Sequence, residues 1–127
     1  MYHIVESDKS FEDAARDLES AVVANQFGVL HIHDLAATLR SKGLKFEGEC
    51  RVFEVCNPHQ AERILSRDLR VNMALPCRIS VYTDEGATKL GLIKPEEMLK
   101  PLSDNAEIAS IATEVQATML KMLDEAR

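Results

Sequence analysis

Two histidines, His31 and His33, alternate along Gly28–Asp34, a segment rich in β-forming residues. In a strand this spacing places both imidazoles on one side, about 7 Å apart along the chain. Glu54 or Cys56 from a neighbouring strand would then complete a three-ligand set for zinc or another divalent ion. His-x-His is common and no second ligand pair supports it. A sheet face wetted by solvent, or covered by a second subunit, is therefore the simpler interpretation.

Two of the three cysteines could also support chemistry, while Cys50 has no such context. Cys56 directly precedes Asn57-Pro58, a helix N-cap residue followed by proline at the first helical position. The positive end of that helix would lower the pKa of Cys56 and favour its thiolate. A nearby Cys77 would then make a redox pair or a soft-metal site. Free cysteines more often pack as small apolar side chains, so a structural role is favoured for both.

Apolar periodicity predicts the elements that position these residues. Helices are expected from Ser10 to Gly28, from Asp34 to Gly43, from Asn57 onward, from Pro95 to Pro101, and from about Asp104 to the C-terminus. The stretch from Arg67 to Leu75 fits a turn followed by a short helix. The expected strands are Tyr2–Glu6, Gly28–Asp34, Glu49–Cys56, Cys77–Thr83 and Thr88–Ile93.

This order of elements predicts an α+β fold, a two-layer sandwich in which helices pack on one face of a mixed or antiparallel sheet of about five strands. The chain's 127 residues suit a single domain covering residues 1–127, with an amphipathic C-terminal helix over about 104–127. No repeat, linker or low-complexity segment divides it.

Alternation along the strands predicts two unlike sheet faces. The face toward the helices is expected to carry Leu30, Ile32, Phe53, Val55, Ile79 and Val81. The opposite face is expected to carry His31, His33, Glu54, Cys56, Arg78, Ser80 and Tyr82, provided that the three strands are neighbours. Val29 is assigned to this second face as well.

Charge and hydropathy exclude several classes of function. The net charge is −6 and acidic residues interrupt the densest basic cluster, Arg63 to Arg70, so nucleic-acid binding is not expected. No apolar run approaches the roughly 20 residues of a membrane span. No signal peptide is visible, and an odd number of cysteines favours reduced thiols in the cytoplasm. There is no Gly-rich phosphate loop, nucleophile elbow or Cys-x-x-Cys pair, and no cofactor is indicated.

Three motifs in order resemble the domain of unknown function 302 family, over roughly residues 10 to 95. They are Val29–Leu35 (VLHIHDL) with Leu39, Lys42 and Gly43; Phe53–Pro58 (FEVCNP) with Ala61 and Leu65; and Leu75–Tyr82 (LPCRISVY). The resemblance implies a compact α+β fold, a homodimer, and bacterial or archaeal ancestry. Its motif positions here are Cys56, Asn57, Pro58, Leu75, Pro76 and Cys77; it implies no reaction.

We therefore expect a dimeric binding domain rather than an enzyme. Its ligand would be a small molecule or metal ion held near the Cys-Asn-Pro and Leu-Pro-Cys motifs. The candidate ligand-binding residues are Glu54, Cys56, Asn57, Cys77, Arg78 and Tyr82, with His31 and His33 as candidate metal ligands. A protein-interaction module using the open sheet face or the last helix is the first alternative. Thiol chemistry at Cys56 and Cys77 is the second.

Overall fold

The computed structural model describes residues 1–127 as one sheet covered by helices. The strands are β1 (Tyr2–Ser7), β2 (Gly28–Asp34), β3 (Cys50–Cys56), β4 (Cys77–Asp84) and β5 (Ala87–Ile93). The helices are α1 (Phe11–Ala24), α2 (Leu35–Ser41), α3 (Pro58–Arg67), α4 (Pro95–Leu99) and α5 (Ala106–Ala126), with 3₁₀ segments at Leu69–Ala74 and Lys100–Leu102. The predicted α+β sandwich is confirmed.

The sheet has the strand order β1-β5-β4-β3-β2, and every neighbouring pair is antiparallel. The strands β2, β3 and β4 are therefore adjacent, as the predicted polar face required. Because β1 joins the sheet beside β5, the N-terminal segment contributes side chains next to the β4–β5 hairpin.

Asparagine and serine side chains begin three of the helices. Ser10 Oγ accepts a hydrogen bond from the Asp13 amide at 3.1 Å, which starts α1. Asn57 Oδ1 accepts hydrogen bonds from the His59 and Gln60 amides and starts α3. Asn105 caps α5 in the same way. These bonds satisfy amide groups that have no partner inside the helix.

The hydrophobic core lies between the helices and one face of the sheet. Helix α5 packs against α1, α3 and α4, and α1 packs on β4 and β5. Phe53, Ile79 and Leu90 are fully buried on the sheet side of this core, and Leu18 and Ile111 face them from the helices. None of the helices combines the length and the apolar character needed to cross a bilayer.

A β-bulge in β2 reverses part of the predicted alternation. The β2–β3 register shifts between Val29 and His31, so Leu30 is the extra residue and is 61% exposed. Val29 and Ile32 both pack against the core. The predictions that Leu30 faces the helices and that Val29 faces away from them were wrong, because one inserted residue moves its neighbours to opposite faces.

Candidate functional site

The predicted polar face exists, and the strand register determines its rows. His31, Glu54 and Arg78 are partners across β2, β3 and β4, and Val52 and Ser80 are partners in the next row. Residues opposite each other in an antiparallel pair project from the same face. We call this face, with His31, His33, Val52, Glu54, Arg78, Ser80 and Tyr82, the open face.

A groove of about 690 Å³ lies on the open face. Strands β1, β3, β4 and β5 form its floor. The last residues of the first 3₁₀ segment form a wall on one side. Most of its lining is apolar, and the polar groups come mainly from β4. The lining residues are Tyr2, Ile4, Val52, Met73, Ala74, Leu75, Pro76, Arg78, Ser80, Tyr82, Gly91, Leu92, Ile93 and Met98.

Gly91 leaves space above the floor of this groove because it has no side chain. It lies in the interior of β5 opposite Ser80 and Ile4. A Cβ at this position would lie 3.2 Å from Ile4 Cγ1 and 3.3 Å from the His3 carbonyl oxygen. Any larger residue would therefore push against β1 and fill the space above the sheet.

Arg78 is the only charged residue that lines the groove. It is exposed, and its guanidinium forms no hydrogen bond or ion pair with the protein. Its cross-strand partner Glu54 is engaged elsewhere, because Glu54 Oε1 lies 2.6 Å from His33 Nε2. The groove therefore holds an uncommitted cation and no carboxylate.

Ser80 and Tyr82 continue the polar strip at alternate positions of β4. Both are half-buried, and neither side chain hydrogen-bonds to another protein group. Arg78, Ser80 and Tyr82 thus present a guanidinium and two hydroxyl groups along one edge of an otherwise apolar groove. Such an arrangement can bind an anionic or hydrogen-bonding head group while the apolar lining contacts the rest of a ligand.

The histidines do not assemble the three-ligand set that their spacing suggested. No group of three or more His, Cys, Asp and Glu side chains is placed to hold a metal ion. The His31 and His33 rings pack edge to face with centroids 4.4 Å apart, and His33 pairs with Glu54. Cys56 lies at the end of β3, where it lines a different cavity.

Cys56 and Cys77 both line a second, smaller cavity of about 240 Å³ beneath α3. Burial raises the pKa of the Cys56 thiol. Burial, followed by the neighbouring Cys56, raises the pKa of Cys77 to about 11. This direction is opposite to the one that the start of α3 suggested for Cys56, and loss of hydration is its cause. The structure holds no disulfide, and all three cysteines are free.

The sequence-derived candidates thus divide between two places. Arg78 and Tyr82 line the groove, and Glu54 stands beside Arg78. Cys56, Asn57 and Cys77 line the second cavity. The Asn57 side chain is fully engaged as a helix cap and as a 3.4 Å donor to the Gln26 carbonyl. A binding role for these residues stays a prediction, and Asn57 has a structural role already.

Two sets of site residues were not anticipated. Tyr2, Ile4 and Ile93 bring apolar side chains to the open face from β1 and β5. A glycine inside the last strand was the available signal, since such glycines mark close approach to a neighbouring group. Gln60, which lines the second cavity, has the position of an ordinary polar residue on an amphipathic helix, and no sequence signal distinguishes it.

Comparison with known proteins agrees with this architecture. The family model described as "Domain of unknown function DUF302" matches residues 3–126. The chain is also similar to the crystal structure of an uncharacterized conserved DUF302 protein from Bacillus stearothermophilus. The TM-score is 0.93 at 30% sequence identity, with 99% of this chain and 98% of the other covered. A search of curated proteins gives no match.

Proposed function

The chain belongs to the DUF302 family, and we propose that it binds a small amphipathic anion in the groove of the open face. The anionic head group would contact Arg78, with Ser80 and Tyr82 as hydrogen-bonding groups. An apolar body would lie over Ile4, Val52 and Gly91. The uncommitted guanidinium of Arg78 at an apolar groove is the observation that carries this proposal.

Electrostatics support an anion over a cation or a neutral ligand. The protein carries a net charge of −6, yet the groove contains one arginine and no acidic residue. Because Glu54 contacts His33 and forms no ion pair with Arg78, the N–H donors of the Arg78 guanidinium stay free for a ligand. A guanidinium also matches carboxylate, sulfonate and phosphate oxygens with two parallel N–H donors.

Size and lining support binding of a small molecule. Ligand pockets in proteins usually enclose about 300–1,000 Å³, a range that includes this groove. Its lining holds no carboxylate, imidazole or thiol, the groups that most often perform acid–base or nucleophilic catalysis. We therefore propose a binding role rather than turnover for this site.

A matched pair of fluorescent probes tests the proposal. The sulfonate probe, 1-anilinonaphthalene-8-sulfonate, and the neutral probe, N-phenyl-1-naphthylamine, share one ring system and differ by the sulfonate. The Arg78→Gln substitution should lower the affinity for the sulfonate probe by about 10- to 100-fold, the range for the loss of a charge-assisted hydrogen bond. Binding of the neutral probe should stay within about twofold.

Arg67→Gln is the matched control, since it removes the same charge from α3, where Arg67 is exposed and has no ion pair. It should leave both probes unaffected. If Arg67→Gln and Arg78→Gln lost the same affinity for the sulfonate probe, the effect would come from net charge alone. Equal losses of both probes in Arg78→Gln would indicate damage to the groove, and either result would refute the proposal.

We also propose that the chain forms a homodimer through the rim of the open face. Two rim side chains are largely apolar and exposed, Tyr2 at 73% and Met73 at 81%. Contiguous exposed apolar patches usually mark interaction sites. Sedimentation velocity should give a dimer for the native chain and a monomer for Met73→Glu. A native monomer at high micromolar concentration would contradict this proposal and leave the anion site untouched.

A location in the cytoplasm is the last part of the proposal. It is supported by three cysteines that are all free, although Cys56 and Cys77 line the same cavity. Oxidising compartments usually pair such residues. Thiol trapping in intact cells, followed by mass spectrometry, should find all three cysteines reduced. A disulfide-linked or secreted form would contradict it.

A further inference from the structure

The groove of the open face offers a single positive charge to a ligand. Arg78 is the only lysine, arginine or histidine among its lining residues. Lys89, which the register places opposite Tyr82, lies outside the groove lining and is paired with Asp84 at 3.1 Å. Arg78 therefore balances one ionised acid group, and a doubly charged head group would keep one charge without a partner.

Backbone amides beside the groove do not supply the missing donors. The Leu75 amide donates to the Asn72 carbonyl, and the Met98 amide donates to the Lys94 carbonyl. Pro76, between Leu75 and β4, has no N–H group. Proteins commonly hold phosphate groups with several free backbone amides at a helix N-terminus or in a Gly-rich loop. Neither arrangement lines this groove.

The surroundings of Arg78 also disfavour a second negative charge. Glu54 is the cross-strand partner of Arg78, and both side chains lie on the open face. Repulsion between like charges is strongest where water is excluded, as it is at an apolar groove. The net charge of −6 adds to this repulsion. A ligand with one negative charge is therefore favoured over a ligand with two.

Ser80 supplies a neutral hydrogen-bonding group next to the guanidinium. It follows Arg78 by two residues on β4, so the two side chains project from one face about 7 Å apart along the strand. A carboxylate has two oxygens with about four acceptor positions. The guanidinium satisfies two of them, and a hydroxyl group satisfies a third. Such a head group needs no second cation.

We propose that the groove selects a singly charged acid, of the class of apolar monocarboxylic acids, and discriminates against phosphate monoesters. This inference rests on the proposed anion site and adds the charge of its ligand. The class excludes nucleotides and sugar phosphates, because a phosphate monoester carries close to two negative charges near neutral pH.

Four naphthalenes test the proposal at pH 8. Naphthalene-2-carboxylate and naphthalene-2-sulfonate carry one charge, 2-naphthyl phosphate carries two, and naphthalene-2-carboxamide carries none. The sulfonate and the phosphate both have tetrahedral head groups, so their comparison separates charge from shape. Dissociation constants are measured from the Arg78, Ser80 and Gly91 amide signals in ¹⁵N NMR spectra. We expect the carboxylate and the sulfonate to bind within about threefold of each other, and the phosphate to bind about tenfold more weakly.

Ile93 provides a matched pair of variants. It lines the groove, is exposed, and lies two residues beyond the Gly91–Ser80 pair, which places it opposite Arg78. Ile93→Lys adds a second cation beside Arg78 and should raise the affinity for 2-naphthyl phosphate at least to that for the sulfonate. Ile93→Gln introduces a polar side chain without the charge and should keep the native preference for the sulfonate.

The proposal is overturned if the native chain binds 2-naphthyl phosphate as tightly as the sulfonate, or if Ile93→Lys keeps the native preference. Both results leave the anion site standing when Arg78→Gln weakens the three acids and spares the carboxamide. If Arg78→Gln changes all four ligands equally, or if none of them shifts those amide signals at its solubility limit, the proposed function fails together with this inference.

Discussion

Arg78 lies directly opposite Glu54 in the β3–β4 register, yet the two side chains form no ion pair. Cross-strand partners of opposite charge normally attract each other. Here His33 Nε2, 2.6 Å from Glu54 Oε1, holds the carboxylate on the β2 side of the sheet. The structure thereby keeps a guanidinium free at the groove while the acid beside it is occupied.

Substitution of His33 should therefore weaken anion binding although His33 does not line the groove. In His33→Ala the Glu54 carboxylate loses its partner and can turn toward Arg78. We expect the affinity for the sulfonate probe to fall roughly fivefold, since a partly exposed ion pair contributes up to about 1 kcal/mol. Fluorescence titration measures the change, and the neutral probe should not respond.

The double variant His33→Ala/Glu54→Gln is the control for this mechanism. It removes the competing charge, so the affinity for the sulfonate probe should return to the native value or exceed it. If the double variant binds as weakly as His33→Ala, His33 acts on the ligand directly or through the fold, and the competition described here does not operate.

The thiols of the second cavity should resist alkylation near neutral pH. Burial moves the pKa of Cys77 from its usual 9.0 to about 11, which lowers the thiolate fraction about a hundredfold. Because the folded pKa is raised, the protonated thiol persists as pH rises past its usual value, and reactivity appears only as pH approaches 11. Iodoacetamide labelling of the folded protein from pH 7 to 11, read by mass spectrometry, measures this profile.

Unfolding in urea supplies the control for the thiol experiment. There the labelling midpoint of Cys77 should return to the ordinary range. Half-maximal labelling of Cys77 at pH 7–8 in the folded protein would contradict the burial that the structure assigns to it, and would revive thiol chemistry as a function.

The two faces of β3 should differ in their contribution to stability. Phe53 is 1% exposed in the core, whereas its neighbour Val52 is half-buried on the open face. We expect Phe53→Ala to lower the free energy of unfolding by about 3–5 kcal/mol and Val52→Ala by about 1 kcal/mol or less. Urea unfolding measures both. Similar losses at the two positions would contradict the assignment of faces.

Much of the fold followed from the pattern of residues. Alternation in β3 and β4 placed Phe53, Val55 and Ile79 toward the helices, and Asn57-Pro58 marked the start of α3, all of which the structure confirms. Such features depend on neighbours a few residues apart. The bulge at Leu30 does not, because the alternation looks equally regular on either side of one inserted residue.

The candidate site was harder to predict for a related reason. Arg78 and Tyr82 were assigned to the correct face, but the groove also needs Ile4, Gly91 and the 3₁₀ segment, which come from distant parts of the chain. Its volume depends on how these parts pack against each other. The shift of the Cys56 pKa is opposite to the one that the local motif suggested, because burial, which that motif does not reveal, is its cause.

The most direct test of the central claim is a ¹⁵N NMR titration of the native chain and of Ser80→Leu with the sulfonate probe. Ser80 is half-buried in the groove, so a leucine there should fill it without entering the core. We predict saturable shifts of the Arg78, Ser80 and Gly91 amides in the native chain and none in Ser80→Leu. Shifts clustered instead around Phe27 and Ala61, or unchanged binding by Ser80→Leu, would contradict an anion site on the open face.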